Sequence, residues 1–209
     1  MSYDLMVFAP EAAPEGREAF MGWFRKITKW GEEHDYDDPA CTSPKLRDWY
    51  GDMVSVFPAM NGPNGVADDH PSHNSGHVTD YTCACDAIYV GFRWNVAEEA
   101  YDHALTYAAI HKVGFFDVST PDGAVWLPSA SGYCVVHGGT SADRDRERAL
   151  ANLSEDATDV HKIAHETALD WIYRRDASEL PTRILEAIKK VRGGAVGLMS
   201  AALQNNTSP

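Results

Sequence analysis

No apolar run in the 209-residue chain approaches the roughly 20 residues that a bilayer-spanning helix requires, and no membrane association is expected. Cysteine is scarce, at four residues, with neither a CxxC pair nor a zinc-ribbon spacing among them. A disulfide framework is thereby set aside in favour of a reduced, cytoplasmic setting. The phosphate-cradling patterns GxGxxG and GxxxxGK followed by Ser or Thr are missing, as is the GxSxG elbow of serine hydrolases. No Cys stands at an evident helix N-terminus that would lower its pKa. A cofactor is not expected, nor is catalysis. Asp4 occupies the place where a secretory signal would carry positive charge, which argues against such a signal.

Basic charge is also short. The chain has 18 Lys and Arg against 31 Asp and Glu, a net charge of −13, and the imbalance is local. Residues 1–140 carry 20 acidic against 8 basic side chains, while residues 141–209 carry 11 against 10. A field of this sign repels nucleic acid and speeds encounter with a basic protein.

What is present is aromatic content of 11%, including six Trp, enough for a sizeable core. The run over 3–8, YDLMVF, is apolar on successive residues and ends at Pro10, which marks a strand covered on both faces. The run over 113–118, VGFFDV, is its natural neighbour. Between them, Phe20, Trp23, Phe24, Ile27 and Trp30 recur at helical spacing, and so do Leu46, Trp49, Tyr50, Met53, Val54 and Phe57. Ser43 is placed to cap this second helix, with Pro44 at its first position. Residues 78–85 and 87–94 alternate with a period of two and form a hairpin. Cys83 and Cys85, two apart on that strand, should both face the core. Asn95 and Glu98 resemble a capping box opening a helix that ends near His111. Segments 113–118 and 124–127 make a second hairpin.

The order β-α-α-β-β-α-β-β defines an α+β fold, a mixed or antiparallel sheet with helices packed on it, over 1–139. A linker over 129–139 leaves room for one short strand at 133–136. Residues 140–209 read as a helical C-terminal region of three helices, the last kinked near Gly193-Gly194 and Gly197.

Three places carry possible chemistry. The 61–77 loop is rich in turn residues, and His70, His73 and His77 with Asp68, Asp69 and Asp80 offer transition-metal donors, although the spacing selects no geometry. His161 and His165 stand one helical turn apart, but Lys162 replaces the Glu that a metalloprotease helix needs. Asp117, inside an apolar strand, is expected to be partly buried and bonded to backbone or to Trp126. The 32–38 link sets five carboxylates around Tyr36, an anchor ringed by steering charge.

The opening YDLMVF with Pro10, Phe20-x-x-Trp23, Thr28-x-Trp30, Asp35-Tyr36-x-Asp38-Pro39, Phe57-Pro58-x-Met60-Asn61-Gly62-Pro63, Val78-Thr79-Asp80-Tyr81 and Val113-Gly114-Phe115-Phe116-Asp117-Val118-Ser119 together resemble a family of small, mostly uncharacterised bacterial proteins. The likeness spans about residues 2–128. Stand-alone acidic α+β proteins of this style resemble immunity proteins of bacterial polymorphic toxin systems. That resemblance implies a non-enzymatic protein that occludes the active site of a toxin domain. The partner would be basic, and Glu33, Asp35, Tyr36, Asp37, Asp38, Asp68 and Asp69 would contact it. The alternative is a metal-dependent hydrolase using His70, His73, His77 and Asp80.

Overall fold

The apolar run at the start of the chain forms a central strand in the computed structural model, which describes residues 2–130 and 132–150. In chain order the elements are β1 (Tyr3–Phe8), α1 (Arg17–Ile27), α2 (Pro44–Val56), the one-turn α3 (Ser72–Ser75), β2 (Asp80–Cys83), β3 (Ala87–Phe92), α4 (Ala97–His111), β4 (Gly114–Asp117), β5 (Val125–Ser129), β6 (Gly132–His137) and α5 (Ser141–Leu150). The fold is α+β. Among the described residues one sheet has the order β2-β3-β1-β4-β5-β6, and every pairing in it is antiparallel.

Register explains why β1 is apolar from Leu5 to Phe8. Leu5 faces Val90 and Asp117 across its two neighbours, and Val7 faces Ile88 and Phe115, so one side of the sheet is continuous across β3, β1 and β4. That side packs against α2 and α4. Alanines at 100, 104 and 108 let α4 lie close to the strands, and Trp49 of α2 donates its indole N–H to the Ala104 carbonyl at 3.0 Å. Met6, Phe8, Ala87, Phe116 and Val125 project from the other side onto α1. Phe20 lies 5.3 Å from Phe8 and 5.2 Å from Phe116 between ring centroids, and Phe24 lies 5.2 Å from Phe116. Tilted pairs of this kind add about 0.5–1.5 kcal/mol each beyond the area they bury. Gly114 is required here, because a Cβ would stand 2.3 Å from the Phe8 ring.

Several local expectations are corrected. Ser43 precedes Pro44 as foreseen but makes no side-chain cap. Asn95 does not cap α4; a 3-10 turn over Trp94–Val96 comes first, and the Asn95 amide donates to the Ser75 carbonyl at 3.2 Å, tying α3 to this corner. Trp94 lies beyond the strand it was assigned to, 53% exposed, with its ring edge on Tyr3 at 5.2 Å. Cys85 lies past the end of β2 and is exposed, so only Cys83 is a core residue.

Within the segment read as a linker over 129–139, the strand expected at 133–136 is present and longer, as β6, which pairs with β5 and stacks Tyr133 on Trp126. Helix α5 covers that edge. Glu147 accepts the Val135 N–H at 3.1 Å, Asp143 accepts the Tyr101 hydroxyl at 2.6 Å, and Arg146 donates to Asp102 at 2.8 Å. The sheet domain therefore extends beyond residue 139. The two further helices, the kink at Gly193-Gly194 and Gly197, and the pair His161 and His165 lie outside the described residues. No helix among the described residues is long and apolar enough to cross a membrane.

Candidate functional site

Helix α1 is short and covers one side of the sheet from the start of β3 at Ala87 across β1 and β4 to β5. On the β3 and β2 side, the same alternation that buries Met6 and Phe8 turns Asp4, Tyr89, Gly91, Thr82 and Asp80 outward. They floor a cleft of about 420 Å³ whose lining includes Trp30, Met60 and Arg93. Trp30 adopts a positive φ of 52° just after α1, and its ring meets Tyr36 at 5.4 Å and Tyr89 at 6.0 Å. A row of aromatic rings thus runs from the link onto the sheet. Burial, followed by the neighbouring Asp4 carboxylate, pushes the Tyr89 phenol above its ordinary pKa. Met60, 46% exposed, forms an opposite wall.

The acidic link is fastened beside this cleft. The Tyr36 carbonyl accepts the Cys83 N–H at 2.5 Å and the Tyr36 hydroxyl is bonded to the Glu32 backbone, so the half-buried Tyr36 braces the link. Asp38 accepts the Ala40 N–H at 2.8 Å and caps a 3-10 turn. Gly62, at φ 74°, leaves room for the Asp37 carbonyl, which would stand 2.0 Å from a Cβ. This close approach presses the start of the 61–77 loop against the link. Glu33, Asp35, Asp37 and Asp38 are all exposed around this joint, and Asp68 and Asp69 are exposed further along the loop.

The three loop imidazoles are not gathered. The His77 ring stacks on Phe57 at 5.1 Å and engages Glu99 at 3.1 Å. His70 accepts the Ser72 N–H at 3.3 Å, and Asp80 faces the cleft. Among the described residues, the metal-type donors that do converge are Glu32, His34 and Cys85, with ligand atoms all within 4.8 Å of one another. Sequence reasoning missed this group because it placed Cys85 in the core, and because nothing in a linear pattern joins positions 34 and 85. Beside Glu32, the Cys85 thiol is pushed up to about 11, first by its hydrogen bond to that carboxylate and then by desolvation.

A second cleft, of about 290 Å³, lies where α5 meets α4 and β1, lined by Tyr3, Tyr101, Asp117, Asp143 and Arg146. Burial raises the Asp117 pKa, although the Thr120 hydroxyl (2.6 Å) and N–H (3.3 Å) oppose it. Burial also works against the Asp143 carboxylate. There, hydrogen bonds from Tyr101 and Thr140 and the Arg146 charge outweigh it and hold the pKa below the usual range. Two carboxylates with opposite shifts in one cleft resemble an acid and base pair. Their hydrogen-bonding capacity is nevertheless taken up in closing the 117–120 turn and in docking α5, which is structural work. Asp117 is bonded to Thr120 as the strand context implies, and not to Trp126.

Fold and site together define an antiparallel α+β domain with an acidic, aromatic cleft beside an anchored acidic link. Set against protein-family models, curated proteins and solved structures, the chain matches none.

Proposed function

We propose that the protein is a non-enzymatic binding module of the immunity type, one that captures a basic partner and occludes the active site of a toxin enzyme. The observation that carries this reading is the joint at Gly62 and Asp37. It holds four exposed carboxylates, Glu33, Asp35, Asp37 and Asp38, in a fixed arrangement next to the uncovered cleft floored by Asp4, Tyr89 and Asp80. Exposed ion pairs are worth only about 0.2–1 kcal/mol each. The carboxylates therefore act mainly on the rate of encounter, and affinity comes from rings and strand surface in the cleft.

The test uses the partner captured from the native cell, with binding followed kinetically. Replacing Asp35, Asp37 and Asp38 together by Asn should slow association by about tenfold at low salt and leave dissociation little changed. Gly91→Leu should instead speed dissociation, because a side chain there enters the cleft with its Cβ in ordinary contact, 3.5 Å from Asp4. Association rates that are the same at low and high salt would reject the steering role.

A further inference from the structure

We propose that Glu32, His34 and Cys85 form a site for a thiophilic divalent cation of the zinc class, with its fourth position left to solvent, at the joint between the acidic link and the turn after β2. This site stands independently of any basic partner. Three donor types converge from two segments far apart in sequence: the Cys85 Sγ lies 4.0 Å from the His34 Nε2, which lies 2.5 Å from a Glu32 carboxylate oxygen.

Orientation is what raises this above a chance meeting of polar groups. The His34 Nδ1 is 3.0 Å from the Asp35 carbonyl, and a carbonyl only accepts, so Nδ1 carries the hydrogen. Loss of the proton that Nε2 shares with Glu32 then gives a neutral ring whose Nε2 lone pair faces Glu32 and Cys85. Metal-ligating imidazoles are held in this way, with the other nitrogen donating to a backbone carbonyl or a carboxylate. The Glu32 carboxylate is oriented in turn by the Cys85 backbone N–H at 2.9 Å. The ring is held against Tyr36 at 4.7 Å.

The distances suit one ion. With bonds of about 2.3 Å to sulfur and about 2.0 Å to imidazole nitrogen, joint tetrahedral ligands Sγ and Nε2 would stand about 3.5 Å apart, a closure of about 0.5 Å from their present separation. The nitrogen and carboxylate oxygen now share a proton; as joint tetrahedral ligands they would stand about 3.3 Å apart, a displacement of under about 1 Å for a surface carboxylate. Coordination releases that proton and the Cys85 thiol proton to solvent, and carboxylate and thiolate then balance the divalent charge. Sulfur, imidazole and carboxylate together favour zinc over magnesium or calcium. Bound there, the ion would pin the link to the sheet.

The experiment is a Co²⁺ titration of the full chain, reduced and stripped of metal, followed by absorption. The expected result is one equivalent bound with a thiolate-to-cobalt charge-transfer band and tetrahedral visible bands, displaced by Zn²⁺. Cys85→Ser should abolish or sharply reduce the band and weaken binding about 100-fold, and His34→Ala should weaken it comparably. Both sites are at the surface, and circular dichroism checks that the variants fold. Cys134→Ser should change nothing. Cobalt bound without a thiolate band, or a band undiminished in Cys85→Ser, overturns the site and leaves a His34 and Glu32 ion pair beside a bystander thiol.

Discussion

Asp143 is the residue whose removal most directly tests how α5 is held. Its carboxylate accepts the Tyr101 hydroxyl at 2.6 Å, the Thr140 N–H at 2.6 Å and the Thr140 hydroxyl at 2.8 Å, and Arg146 stands 3.8 Å away. The Asp143 N–H returns a bond to the Thr140 hydroxyl at 3.4 Å, which makes the pair a reciprocal cap on the helix. Hydrogen bonds to a charged group contribute about 1.5–3 kcal/mol, and removing one partner of a buried charged set costs about 3–5. These bonds share one carboxylate and do not add. Asp143→Ala should therefore destabilise the sheet domain by about 3 kcal/mol and Tyr101→Phe by about 1.5–2, with a coupling of at least about 1 kcal/mol in the double variant. In urea, with a slope near 2 kcal/mol/M, Asp143→Ala moves the midpoint by about 1.5 M, and the amides of α5 lose protection from hydrogen exchange. The pH dependence has a definite sign. The folded pKa is depressed, so the contribution is complete above the ordinary carboxylate value near 3.9 and is lost as pH falls through the lowered folded value. A loss below about 0.5 kcal/mol at neutral pH, with unchanged exchange in α5, would refute the reasoning.

Two further substitutions address the packing behind the site. Gly62→Ala places a methyl into the Asp37 carbonyl at a positive φ; it should cost about 1–3 kcal/mol and loosen the link, read as a lower melting temperature together with faster proteolysis within residues 32–38. Trp49→Phe removes the indole bond to Ala104 and part of a buried ring system, which should cost about 2–3 kcal/mol by urea unfolding and lower the melting temperature by roughly 4–12 °C.

Much of the fold is legible in the sequence because short-range periodicity encodes which face of an element is buried. The apolar run of β1 from Leu5 to Phe8, the helical spacing of α1 through Ile27 and of α2, and the alternation of β3 through Phe92 each admitted one burial pattern, and the structure adopts it. Elements failed where local chemistry had a competing use. Asn95 and Glu98 have capping spacing, but the Asn95 amide is recruited by Ser75, which lies in another part of the chain. Gly132, Gly138 and Gly139 resemble punctuation and left 129–139 reading as a linker with room for a strand at 133–136; edge pairing with β5 and cover from Glu147 make all of 132–137 that strand.

The sequence by itself determined the acidity, the aromatic core and the order of the main strands, since these follow from composition and from spacings of two to four residues. Only the tertiary structure decided that Tyr36 braces the link, that His77 turns to Glu99 and not to His70 or His73, and that Cys85 meets Glu32 and His34. Each of those outcomes depends on which segments the sheet brings side by side, and a contact across some fifty residues leaves no periodic trace in the chain.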